Sequence, residues 1–208
     1  MPSFYHLFGT TLCDRNLAQA EALERNVADF GRVMRFCAAA GIPSVFLLPG
    51  VCNPGQGRAE ALAQSAASLN ALMPLAHQAG VTLTVEPHVH SHLESPPLVL
   101  QLLERVPGLK LTLDYAHFAC LGWRQDEIDV LAPHAAHVHV RQARPGALQT
   151  KLSQGTLNME AMLATLRGAG YAGCLSIEWV HQDYMDTVYD DVLTETIQAR
   201  NLIRNWLG

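Results

Sequence analysis

Four short segments end in a side chain able to bind a metal ion: VTLTVE at Glu86, LKLTLD at Asp114, HVHV close to its end at His139, and LSIE at Glu178. Carboxylates gathered without a counter-ion repel and raise each other's pKa, whereas a divalent cation between them cancels that cost. Three carboxylates and one imidazole form a hard-to-borderline donor set, suited to Mn²⁺, Mg²⁺ or Co²⁺ more than to a thiolate-loving zinc site. Taken singly, each residue reads equally well as a helix cap or a surface acid. Only their shared position at strand ends argues for a site.

The chain has 10 histidines, and two runs are crowded with them. In HVHSH, His88 is retained as a pocket candidate, and His90 and His92 are expected to be solvated loop residues. In HVHV, period-two geometry puts His137 on the face of His139, as a hydrogen-bonded group behind it. His6, His77, His134 and His181 read as ordinary surface or core residues. Arg141, with Arg144 as second choice, is expected to steady an oxyanion or a substrate oxygen, although position alone fits a surface arginine equally well. The PGQG run at Pro54 to Gly57 is followed by no GK[ST] and lacks the third glycine of GxGxxG, so it reads as a mobile loop at the rim, not a phosphate cradle.

Short apolar strands alternating with amphipathic helices must position these groups. Strands are expected at Phe4 to Phe8, Ser44 to Leu48, Val81 to Glu86, Leu111 to Asp114, His137 to Val140 and Cys174 to Glu178. Between them the spacing predicts a helix from Leu17 to Ala40 capped by Asn16 and closed by Gly41. A second follows the Pro/Gly-rich loop to about Gln78, bent at Pro74. Further helices start at Pro96 and Pro97, near Asp126 to Leu131, at Met159 to Ala169 behind Asn158, and at Thr187 to Trp206. This alternation implies βαβ crossovers and a parallel sheet. No linker, charge block or low-complexity tract divides residues 1–208, which read as one domain.

The composition narrows the chemistry further. With 208 residues, 49% apolar and 16% charged, the chain is globular; 14 basic against 19 acidic residues give a net charge of -5 and no attraction to phosphate backbones or anionic lipid. Nucleic-acid and membrane partners are not expected, and with neither an n-region nor an apolar span the default compartment is the cytoplasm. Five scattered cysteines without a CxxC pair predict reduced, mostly buried thiols.

TVEPHVHS, LTLDYAHF with its DxxH spacing, HVHVRQARPG and GTLNMEAMLATLRGAGYAGCLSIEWV follow one another in a familiar order. Over nearly the whole chain the sequence resembles the xylose isomerase-like barrels, which include sugar and sugar-phosphate isomerases and epimerases and, more distantly, AP-endonuclease-type repair enzymes. The resemblance implies an α/β fold, a TIM-type parallel barrel. It begins at what would be the third strand, so two βα units, roughly 60 residues at about 30 per unit, are missing and about six remain. The edges of the first and last strands would then need cover, and a homo-oligomer, a dimer, is expected.

The resemblance also implies one divalent metal ion on Glu86, Asp114, His139 and Glu178, with Mn²⁺ or Mg²⁺ favoured and Co²⁺ or Zn²⁺ compatible. It implies Glu86 and Glu178 as the proton-transfer pair, and His117 as a contact to substrate or to metal-bound oxygens. The expected activity is isomerisation or epimerisation of a sugar, sugar phosphate or related polyol ketone through an enediolate, with a dehydratase as a close neighbour. The alternatives are a non-catalytic barrel that binds a metal or sugar-like ligand and, less favoured by the charge, a metal-dependent hydrolase of damaged DNA.

Overall fold

A computed structural model describes residues 1–181 and 191–208. Among the described residues, six strands lie in one sheet in chain order and alternate with helices, the arrangement of a TIM-type barrel shortened to about six βα units. Two compact units divide the chain, Met1–Thr112 and Leu113–Gly208, with the boundary inside a strand.

The first unit contains β1 (Phe4–Tyr5), β2 (Ser44–Leu47), β3 (Thr82–Val85) and the start of β4 (Lys110–Asp114). Parallel pairing aligns Phe4 with Val45, Val45 with Leu83, and Val85 with Leu111. Its crossovers are α1 (Leu23–Ala40), α2 (Arg58–Ala79) and α3 (Pro96–Arg105). On α1, Asn26, Phe30, Met34 and Cys37 recur at helical spacing and are buried. They belong to the same core as Val45, Leu47, Leu83 and Val85. Gly41 adopts φ 64° just beyond α1 and Ile42 N–H returns to Cys37 O at 2.9 Å, closing the helix as expected. Ser95 caps α3 by accepting from Leu98 N–H, and Pro96 occupies the first helical position.

Two expectations about element ends fail in this unit. β1 stops at Tyr5, not Phe8, because the chain turns into bends around Gly9, whose φ is 76°. Asn16 does not cap a helix from Leu17. Its Oδ1 accepts from Ala18 N–H at 2.9 Å and its amide donates to Asn53, a local turn that competes with helix, so a single 3-10 turn, Ala20–Ala22, precedes α1. In the loop through PGQG, Gln56 Nε2 donates to Ala18 O at 2.8 Å, and Gln56 Oε1 accepts from Asn53 N–H.

His92 also departs from the reading. It is fully buried, with Nε2–H donating to Pro49 O at 2.9 Å, whereas His90 is exposed with φ 67°. Alternating polarity in HVHSH could not reveal this, because the loop folds back along the 49–50 segment, where His92 N–H meets Gly50 O.

The second unit holds the end of β4, β5 (Ala135–Val140) and β6 (Leu175–Ile177), with Val138 opposite Leu175 and His139 opposite Ser176. Its helices are α4 (Tyr115–Cys120), α5 (Gln125–Ile128) running into a 3-10 turn at Asp129–His134, α6 (Met159–Gly168) and α7 (Val192–Leu207). Asn158 caps α6 through Ala161 N–H at 3.0 Å, as expected. α4 was not foreseen, because all six of its residues are buried and it therefore carries no apolar-polar period. Asp191 caps α7; the expected start at Thr187 lies outside the described residues. All five cysteines are free, but Cys13, Cys52 and Cys174 are exposed, against the expectation of mostly buried thiols.

Candidate metal centre

Asp114 ends β4 and caps α4, so its backbone sits where strand becomes helix. Oδ1 accepts from Ala116 N–H at 2.8 Å, and Oδ2 takes both Arg141 Nε at 2.8 Å and Arg141 Nη2 at 2.6 Å. The carboxylate is fully buried. Burial pushes its pKa up, but Arg141 first, then His117, His139 and the Ala116 amide, pull harder, and the group is held below the usual carboxylate range.

β5 alternates its side chains, so His137, His139 and, just past its end, Arg141 share one face. Glu178 follows β6, and its N–H donates to Val140 O at 3.0 Å, continuing the β5–β6 register one step beyond the strand. That register carries the Glu178 carboxylate to His139: Nδ1 lies 3.2 Å from Oε2, and Arg141 Nη2 lies 3.6 Å from the same oxygen. Glu178 Oε2 is buried and, among the described residues, makes no contact of hydrogen-bond geometry beyond these two ion-pair approaches. Asp114, His139 and Glu178 each offer one ligand atom, and these atoms lie within 4.8 Å of one another.

Two carboxylates gathered in one buried place repel each other, and a cation between them removes that cost. Two carboxylates and an imidazole within one small radius fit a divalent ion, which tolerates oxygen and nitrogen donors together.

His137 lies behind His139, its ring 5.2 Å away and edge-on, with Nε2 2.9 Å from Ser176 Oγ. Burial, then the neighbouring His139, lowers its pKa to about 4, so it is neutral near pH 7. His117, on α4, is buried with Nε2 3.1 Å from Arg141 Nη2 and 3.7 Å from Asp114 Oδ2. The second unit thus gathers His117, Arg141, Asp114, His139 and Glu178, while Arg144, the second choice, is exposed in a turn facing Ala147.

Glu86 and His88 belong to the first unit, and both are buried. Glu86 follows β3, with its N–H on Leu47 O at 3.0 Å. His88 Nδ1–H donates to Val89 O at 2.6 Å, and Ser91 Oγ donates to His88 O. Sequence reasoning missed two contacts, the pair of Arg141 nitrogens on Asp114 Oδ2 and the Ser176 partner of His137. Neither carried a signal: the two-residue step puts His139 and Arg141 on one face of β5 but does not bring Asp114 to them, and Ser176 is an ordinary strand residue.

The model of a family described as xylose isomerase-like TIM barrel matches residues 3–205. None of the curated protein sequences matches the chain. Among solved structures, the IolI protein with a binding zinc atom superposes with a TM-score of 0.75 at 16% identity, covering 99% of this chain and 75% of that one. L-ribulose 3-epimerase follows at 0.73 and 20% identity, covering 98% and 74%. A xylose isomerase-like TIM barrel protein from Mycobacterium smegmatis in complex with magnesium gives 0.71 at 16% identity, covering 100% and 74%.

Proposed function

This chain belongs to the xylose isomerase-like TIM barrel family, and from that premise we propose that it is a divalent-metal-dependent isomerase or epimerase of a sugar, sugar phosphate or related polyol ketone. In this reading Glu86 completes a ligand set with Asp114, His139 and Glu178. Mn²⁺ or Mg²⁺ is the favoured ion, consistent with the oxygen-rich donors. The observation that carries the proposal is the convergence of one ligand atom each from Asp114, His139 and Glu178 within 4.8 Å of one another.

The ion, when bound, supplies Lewis acidity that makes the C–H next to a substrate carbonyl acidic. The rest falls to the side chains. Glu86 and Glu178 act as the proton-transfer pair: one carboxylate removes the proton and the other returns it to the opposite face for epimerisation, or either returns it to the neighbouring carbon for isomerisation. Arg141 carries a fixed charge to a developing oxyanion, and His117 and His88 are hydrogen-bonding contacts for substrate oxygens. Ser176 holds His137, which in turn backs His139 and limits its ring orientations. β1 and β6 end the strand order, and the same proposal has a second copy of the chain covering those edges in a cytoplasmic homodimer.

The test is exchange of solvent hydrogen into a panel of ketoses and cyclic polyol ketones by metal-loaded protein. Glu178→Gln with metal retained should slow exchange on the order of a hundredfold or more, the usual contribution of a general acid–base group. Undiminished exchange would remove Glu178 from the mechanism.

A further inference from the structure

Arg141 is 5% exposed and directs two N–H groups at a single oxygen of a fully buried aspartate. The same Nη2 lies 3.6 Å from Glu178 Oε2 and 3.1 Å from His117 Nε2. A guanidinium cannot give up its proton under these conditions, so a permanent positive charge stands among the groups proposed to bind a cation. We infer that Arg141 is a built-in counter-charge that competes with the divalent ion for Asp114, setting metal affinity lower than the ligand set alone would give. The inference rests on the proposed metal role of Asp114, His139 and Glu178.

Three features carry it. Asp114 Oδ2 already receives two N–H donors and Oδ1 a third, so a metal ion must share an occupied carboxylate. A dication next to that carboxylate feels the guanidinium as a like charge in a buried setting, where screening is weak. Arg141 is not the sole anchor of Asp114: the Ala116 N–H at the start of α4 also holds it, through Oδ1. Removing Arg141 therefore deletes repulsion while the ligand geometry stays anchored, and the electrostatic gain exceeds any loss of order. In metal-free protein the roles reverse, because Arg141 is then the partner that keeps a buried carboxylate ionised.

Isothermal titration of metal-free protein with Mn²⁺ and Mg²⁺ alone tests this on wild type, Arg141→Gln and Arg141→Lys. Arg141→Gln should bind the ion tighter by about 10- to 100-fold, the scale of one like charge removed from a partly screened site. Arg141→Lys keeps the charge and should stay near wild type. The Gln variant should also melt lower than wild type without metal and show the larger upward shift when metal is added, so incomplete folding of the apo form is itself read by metal rescue.

Equal or weaker binding by Arg141→Gln, or Arg141→Lys matching Arg141→Gln, overturns the inference while wild-type binding leaves the metal site standing. Binding by Arg141→Gln where wild type takes up no ion supports it in its strongest form. No binding by any variant removes both the counter-charge and the metal site.

Discussion

Changing His92 to Gln should leave a pH signature that the wild-type fold carries and the variant does not. His92 is fully buried, and its Nε2–H bonds Pro49 O while Nδ1 has no hydrogen-bond partner among the described residues, so the native ring is neutral. Burial, reinforced by Arg58 and His88 and only partly offset by the Pro49 bond, lowers its pKa from 6.5 to about 4. A histidine with a depressed folded pKa contributes stability that is complete above the unfolded value of about 6.5 and is lost as pH falls towards about 4. Each unit corresponds to about 1.4 kcal/mol, so most of that loss, about 2 kcal/mol, occurs between pH 7 and 4.5. Glutamine can donate its amide to Pro49 O and does not titrate in this range.

Urea unfolding of both proteins at several pH values isolates the contribution, since acid-sensitive groups common to both cancel in the difference. The wild-type advantage at pH 7 should shrink by about 2 kcal/mol at pH 4.5. Parallel curves for the two proteins would show that His92 is solvated or charged in the native state, and the burial argument would fall.

Replacing Gly50 by Ala should cost about 1–3 kcal/mol in the same assay, because φ is 99° and a Cβ there would lie 2.8 Å from Asn16 Oδ1 and 3.0 Å from Ala18 N. A neutral effect would mean the 49–50 segment relaxes freely. Asp114→Asn keeps an acceptor for the Ala116 amide but removes the charge facing Arg141. Metal content of protein purified without chelator should drop from one equivalent to background, read by elemental analysis, and retention of the ion would exclude Asp114 as a ligand.

Much of the site was readable as a list before any fold was known. The candidate residues Glu86 and Glu178 directly follow β3 and β6, Asp114 is the last residue of β4, and His139 is the last but one of β5, so strand periodicity alone placed all four close to strand ends. Arg141 was readable as a charged group near the site, but not as the partner of Asp114. That pairing requires the turn from β4 into α4, whose all-buried sequence gives no amphipathic signal. His92 shows the same limit in the other direction: a polar residue in a polar-looking loop was assigned to solvent and is fully buried.

Local chemistry acts along the chain, so the sequence by itself determined the order of the strands and of the helices other than α4, the Gly41 and Asn158 boundaries and the donor types near the strand ends. Burial and charge pairing depend on segments far apart in sequence. Only the tertiary structure decided that Arg141, 27 residues from Asp114, neutralises it, and that the Pro49 carbonyl, 43 residues from His92, holds that ring out of water. Coulomb energy and desolvation follow distance in space, and distance along the sequence does not report it.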